Sequence, residues 1–585
     1  MDKQEVVISR TLLHSAYVND IGNGQDGIVI SEIIENEKGE TKPNLRVFKS
    51  PTISFYITQP MYRTHKDKKE FESIKFLDEY RVSYKEKDKE IFRALNGYVP
   101  NFISSQMRRE LYQSPYLYGG NISIEALVAI KYKKELLKNN KTPHSPTTGF
   151  FDIEMSLLKS SYGKLPLMVF TAENKVYLTM KRSFMNEDRD GKRVDVKIED
   201  VEAAAHEIID PLVSSLFESN EGLSSYKNKL PFEYHFHVGD TEVDMIRWIF
   251  GKMHESKTSF IGIWNLGFDI PEIIKVLKEN NIPLEEILAD PSLKDLGFAY
   301  ADYREDKRQV HHFTQKWHWL TATAHFQFVD SLALYSYIRM VDGKEASYAL
   351  DDILKKFNLG GKLKIDKTQE LENLQTEDWH REMLSRFFTY YALYAMWDGM
   401  ALQLLEWINN DLTAMMLLGD ITPPKFFVNQ TIRVTNTLYD EWLAKGYVLG
   451  TGVDVEGLKD EDLLTEGGAV LEPQNLVAKG LKLFLEWPNH STHCYGWQND
   501  FDFSAQYPTN TMVLNISKQT KLGTMLGIRA PWVNIKYKQD EAIEVLCSYL
   551  ITPNANGVEL GVDFFSLPDY EEMNELFKAK MNILV

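Results

Sequence analysis

Short apolar runs and helical apolar patterns alternate through the middle of this chain, and that alternation is its most informative feature. Near the N-terminus, Val6-Val-Ile-Ser and Ser54-Phe-Tyr-Ile-Thr are strand-like and are interleaved with charged segments such as Lys66 to Glu70. Asn139 to Thr148 holds two prolines and several Ser/Thr residues, the composition of a linker. Gly149-Phe-Phe-Asp-Ile-Glu-Met follows at once and reads as a buried strand. From there to about Asp411, apolar strands alternate with helical patterns, as in Ser259 to Trp264 followed by Ile270 to Glu279. That order predicts an α/β domain around a central sheet. Arg381 to Asn410 carries apolar residues at helical spacing and predicts one long helix, and Asp500 to Tyr507 is again strand-like.

With 585 residues, the chain exceeds the roughly 250–300 at which a single core stops growing, so several domains are expected. The expected fold class is α/β multidomain. Two cysteines, Cys494 and Cys547, exclude a disulfide framework or a cysteine-rich zinc site. The opening Met1-Asp-Lys-Gln-Glu lacks the features of a signal peptide, and no apolar stretch is long enough to span a bilayer. The expected location is cytoplasmic, with no membrane partner. The net charge of −18 argues against a protein coated in basic residues for nucleic acid, but not against one that holds DNA in a local groove.

Three small motifs carry chemistry. In Asp152-Ile153-Glu154 a strand would send both carboxylates to one face, a hard-oxygen pair suited to Mg²⁺ or Mn²⁺. In Trp264-Asn265-Leu266-Gly267-Phe268-Asp269, at a strand-to-helix turn before Pro271, Asp269 is either a helix N-cap or a third carboxylate. In that second case Asn265 and Phe268 shape a substrate pocket. Tyr394 and Asp398 stand four apart on the long helix and share a face, and an Asp amid apolar residues is costly to bury unpaired.

The order D-x-E, N-x2-F-D, Y-x3-D resembles the three motifs of DnaQ-like, ribonuclease H-related 3′→5′ proofreading exonucleases. The Y-x3-D form is that of family B DNA polymerases, and the stretches between the second and third motifs resemble those of the tailed-phage type. By that resemblance Asp152, Glu154, Asp269 and Asp398 hold two divalent metals, and Tyr394 orients the attacking water. Asp500-Phe-Asp-Phe-Ser-Ala-Gln-Tyr-Pro-Thr resembles polymerase motif A, with Asp502 as its metal-binding aspartate and Tyr507 as its steric gate. Ala505 and Gln506 depart from the motif's Ser and Leu. Val329-Asp-Ser-Leu-Ala-Leu-Tyr, Ala346-Ser-Tyr-Ala-Leu-Asp and Gly360-Gly-Lys-Leu-Lys resemble the stretch between the second and third exonuclease motifs. Gly467-Gly468-Ala-Val-Leu-Glu-Pro resembles the start of the palm, and Thr552-Pro-Asn the approach to the fingers.

The resemblance implies a β-rich N-terminal domain at 1–148 completed by about 411–460, and a ribonuclease H-like exonuclease at 149–410. It implies a partial palm at 461–568, with the start of the fingers at 569–585. Motifs B and C of the palm do not occur: Lys578-x3-Asn582 and Gly239-Asp-Thr-Glu are superficial matches only. The expectation is therefore the N-terminal subunit or fragment of a DNA-directed DNA polymerase with proofreading activity. Its expected partners are primer–template DNA, single-stranded 3′ ends, dNTPs, a second chain carrying motifs B and C, and a sliding clamp. A stand-alone exonuclease and a non-catalytic DNA-binding subunit are the alternatives. Tyr303 to Trp319 is expected to be a hairpin that separates primer from template, and Lys131 to Lys141 a solvated helix face. His311 and His312 would face opposite ways, and Asp330 is expected to be structural.

Overall fold

The computed structural model describes residues 6–451 apart from 23, 66–68, 190, 311, 341–342, 366–367, 369–370, 372–373 and 375. All of these belong to one unit, Met1–Asp454. The motif A stretch with Asp502 and Tyr507, the palm-like and fingers-like segments, and His311 lie outside the described residues. What is described is mixed α/β, with helices and several sheets. No helix among the described residues is long and apolar enough to cross a membrane.

The part that carries the acidic motifs is organised by a six-stranded sheet. Its strands are β1 (Thr148–Glu154), β2 (Leu167–Ala172), β3 (Lys175–Lys181), β4 (Glu233–Gly239), β5 (Phe260–Ile263) and β6 (Gln327–Asp330). They lie in the order β4-β3-β2-β1-β5-β6. Only β2 runs against the rest: it is antiparallel to β1 and β3, while β4, β5 and β6 pair in parallel. The sheet is covered on both faces, which is why its strands read as apolar runs and not as clean alternations. One face carries Phe150, Val169 and Leu178 against helices α1 (Ile198–Ser219) and, later in the chain, α6 (Phe388–Asn409). The other carries Phe151, Ile153 and Phe170 against α2 (Glu242–Ser256) and α3 (Leu266–Glu279). Further along lie α4 (Ser331–Ile338) and α5 (Thr376–Arg386).

Two boundaries differ from the sequence reading. The long helix expected over 381–410 is two helices, α5 and α6, broken at Phe387 with φ −132° and ψ 43°. Glu187, from a distant strand, accepts the Thr389 N–H in the first turn of α6 at 3.0 Å and stabilises a new helix start there. Helix α3 was expected to start near Pro271, yet it begins at Leu266 and carries Pro271 inside it. Burial of Leu266 and Ile270 in the core draws the earlier turn into the helix. Asp269 is thus a first-turn residue, and Asn265 stands at the N-cap.

Around this sheet, Val7–Val18, Gly27–Asn36 and Thr41–Lys49 form an antiparallel meander. Phe71–Ser73 pairs with the late strand Tyr447–Leu449. The basic run near residue 131 lies mostly on the helix Ile124–Lys138, where Lys133 and Lys134 are ion-paired to Asp420 and Asp440. Thr241 caps α2, so the Gly239-Asp-Thr-Glu stretch is a helix start. Ala301–Arg304 and Trp319–Ala322 pair antiparallel and make a hairpin of the region singled out above.

Candidate metal centre

β1 alternates as its sequence demands. Phe151 and Ile153 enter one core, while Asp152 and Glu154 turn toward α6. There they meet Asp398, and one carboxylate oxygen from each of the three lies within 4.8 Å of the others. Among the described residues, this is the one cluster of His, Cys, Asp or Glu that could hold a metal ion. Asp269 arrives from α3, which follows β5, the neighbour of β1. It is 3% exposed and close enough for Asp152 and Glu154 to repel its charge, though outside that 4.8 Å cluster. The site therefore sits where β1 and β5 end, at the carboxyl edge of parallel strands.

The electrostatics are strained in one direction. Burial, and then the Asp398 charge, raises the Asp152 carboxyl; burial, then Asp152 and Asp398, raises Glu154. Asp269 is held well above the carboxylate range by burial, then by Asp152, Glu154 and Asp330. Asp398 is raised by burial, with Lys362 opposing the shift. Oδ1 of Asp398 is buried with no hydrogen-bond partner. Clustered, desolvated oxygen donors with an orphaned lone pair fit a hard divalent cation, which would replace the missing positive charge.

Three side chains complete the site, and none was assigned a role from the sequence. Lys362 Nζ lies 2.9 Å from Asp398 Oδ2 and also hydrogen-bonds the Tyr394 hydroxyl. Burial pulls this ammonium down, but Asp398 and Tyr394 outweigh it and hold Lys362 well above its ordinary value. The turn presenting it needs glycine, since Gly360 and Gly361 have φ of +78° and +97°. A Cβ on Gly361 would meet Asp351 Oδ1 at 2.5 Å. Trp397 Nε1 donates to the Gly361 carbonyl at 2.9 Å and ties that turn to α6. Tyr391, fully buried, donates to Glu154 Oε2 at 2.7 Å, and His380 Nδ1 lies 2.9 Å from the Tyr391 oxygen. His380 is lowered to about 4 by burial and by Lys362, so it is neutral at pH 7, and its 3.6 Å approach to Glu154 is not an ion pair.

Tyr391, Tyr394 and Asp398 follow at i, i+3 and i+7 on α6, a spacing that could have flagged Tyr391. Lys362 stood in a stretch noted only for its likeness, and His380 carried no signal. Of the other expected site residues, Tyr394 is buried with its ring 6.1 Å from that of Tyr391. Asn265 makes no side-chain cap bond, and Phe268 is 42% exposed, an unusual position for an aromatic at a helix start. Asp330 caps α4 by accepting the Ala333 N–H at 3.0 Å, and burial raises it to about 7. The hairpin reaches the same place: a Cβ on Gly267 would collide with His318 Nε2 at 2.7 Å. No protein-family model matches the chain, and no curated protein matches it either.

Proposed function

We propose that this unit is a divalent-metal-dependent 3′→5′ exonuclease acting on single-stranded DNA ends, of the kind that proofreads within family B DNA polymerases. The observation that carries it is the meeting of a half-buried Asp152 with the buried Glu154 and Asp398 in one cluster, with Asp269 beside it. A sheet order with one antiparallel strand beside β1 accords with the ribonuclease H-like architecture that such nucleases use. Asp152, Glu154 and Asp398, with Asp269, would hold Mg²⁺ or Mn²⁺, which supplies an activated water and neutralises charge on the departing 3′-oxygen.

The chain's own residues do the rest. Water attacks the terminal phosphodiester phosphorus, the bond to the 3′-oxygen breaks, and a nucleoside 5′-monophosphate leaves. Tyr394 is kept neutral by burial and by the Asp398 charge, so its hydroxyl orients the water by hydrogen bonding and does not act as a base. Lys362 places a positive charge beside the scissile phosphate. The exposed Phe268 ring offers a stacking face to the terminal base, and Asn265 lines the same turn. Nucleotide addition at Asp502 and Tyr507 belongs to the same proposal and to residues outside the described part.

The test is a 5′-labelled single strand incubated with purified protein and Mg²⁺ or Mn²⁺. Stepwise shortening is expected, abolished by chelator. It should fall by about a thousandfold or more in Asp152→Ala/Glu154→Ala, with unchanged circular dichroism. Full activity in that variant would refute the assignment.

A further inference from the structure

We infer that Tyr391 and His380 are positioning residues that fix how Glu154 presents its carboxylate to the metal centre, an inference that rests on the exonuclease reading. A phenol has one proton, and Tyr391 spends it on Glu154 Oε2 at 2.7 Å. The contact between His380 Nδ1 and the same phenol oxygen, at 2.9 Å, must therefore be donated by the imidazole. The result is a directed chain, His380 to Tyr391 to Glu154, with each donor role fixed by the next. Oε2 is thereby held from the protein side, which restricts the rotation of the carboxylate that meets Asp152 and Asp398.

His380 lies on α5 and Tyr391 on α6, on either side of the break at Phe387. Trp379 packs edge-on against His380 at 4.9 Å and tilted against Tyr394 at 4.8 Å. Hydrogen-bonded partners behind a ligating carboxylate are what set metal affinity at such sites. The break between α5 and α6 has a consequence here, because on one continuous helix residues eleven apart stand about 16 Å from each other along the axis and could not hydrogen-bond.

The experiment measures Mn²⁺ binding to the full chain after metal removal, by electron paramagnetic resonance of free Mn²⁺, alongside kcat and KM on a single-stranded oligonucleotide. Tyr391→Phe keeps the ring and deletes the donor. It should weaken Mn²⁺ binding roughly 10–100-fold, and at fixed subsaturating Mn²⁺ lower kcat with KM for the oligonucleotide unchanged. His380→Ala should weaken Mn²⁺ binding in the same direction, and His380→Asn, which retains an N–H donor, should recover much of it. Asp152→Ala is the control. If it abolishes Mn²⁺ binding while Tyr391→Phe binds like the parent protein, the positioning role is overturned and the exonuclease reading stands. If Asp152→Ala binds Mn²⁺ undiminished, the metal centre itself is wrong and the inference falls with it.

Discussion

Two groups of buried carboxylates in this chain are treated in opposite ways. Glu32, on the second strand of the N-terminal meander, is fully buried. Arg10 reaches its Oε1 at 2.5 Å and Asn44 the same oxygen at 2.7 Å, while Tyr132 donates to Oε2 and Arg46 stands 3.6 Å away. Asp152, Glu154, Asp398 and Asp269 are at least as crowded, and among the described residues the cation that reaches them, Lys362, is bonded to Asp398. Satisfying a single buried charge takes two arginines, an amide and a phenol in one place. In the other, four carboxylates have Lys362 on Asp398 and the Tyr391 hydroxyl on Glu154, while Asp398 Oδ1 has no partner. Desolvation penalises both, so the difference lies in what completes them: protein donors at Glu32 and, on the proposed reading, a metal ion at the cluster.

This contrast can be broken by mutation. Glu32→Ala should have the largest effect on stability, about 1–3 kcal/mol in urea unfolding, because it leaves the Tyr132 hydroxyl and the Asn44 amide without their acceptor, while Arg10 and Arg46 keep some contact with water. Nuclease activity per folded molecule should be unchanged, and a loss under 1 kcal/mol would remove the structural half of the comparison. Asp152→Asn should do the reverse. In chelator it should raise stability by about 1 kcal/mol, since it removes a desolvated and mutually repelled charge, and in Mn²⁺ that gain should vanish. A destabilised Asp152→Asn protein in chelator would mean the cluster is already satisfied by protein.

The same logic fixes a pH dependence. Folded-state values of Asp152, Glu154 and Asp269 lie above those of the unfolded chain. Their contribution to stability is therefore fully present below the unfolded carboxylate value of roughly 4, and is lost as pH rises through the raised folded values. Metal-free protein should lose melting temperature between about pH 5 and 8, and Mn²⁺ should flatten that slope. Asp330 and Glu406, raised to about 7 and about 8, add the same trend with or without metal. The informative quantity is thus the difference between chelator and Mn²⁺. Equal slopes in the two would place no metal at the cluster.

The smallest expected effect is at the rim. Phe268→Ala should change melting little, as the residue is 42% exposed, and raise KM about tenfold, within the range of one lost base–aromatic stack. An unchanged KM would take Phe268 out of the substrate path.

The carboxylates at 152, 154 and 398 were legible because local periodicity places them. A strand repeats every two residues and a helix aligns i with i+4, so each pair shares a face wherever the element docks. The start of α3 was misread because a proline argues against a preceding helical turn, whereas core burial of Leu266 and Ile270 prevailed. The break between α5 and α6 was invisible because the carboxylate at the new helix start comes from Glu187, 202 residues earlier.

What the sequence determined by itself was the alternation of strands and helices and the faces on which its acidic side chains stand. Only the tertiary structure decided which faces meet. It brought Tyr391 to Glu154 across 237 residues of chain and Lys362 to Asp398 across 36, and left Asp269 just outside the tight cluster. The reason is physical: periodicity is a property of one element's backbone, whereas the donors that complete or starve a buried charge come from elements that become neighbours only when the sheet and its helices pack.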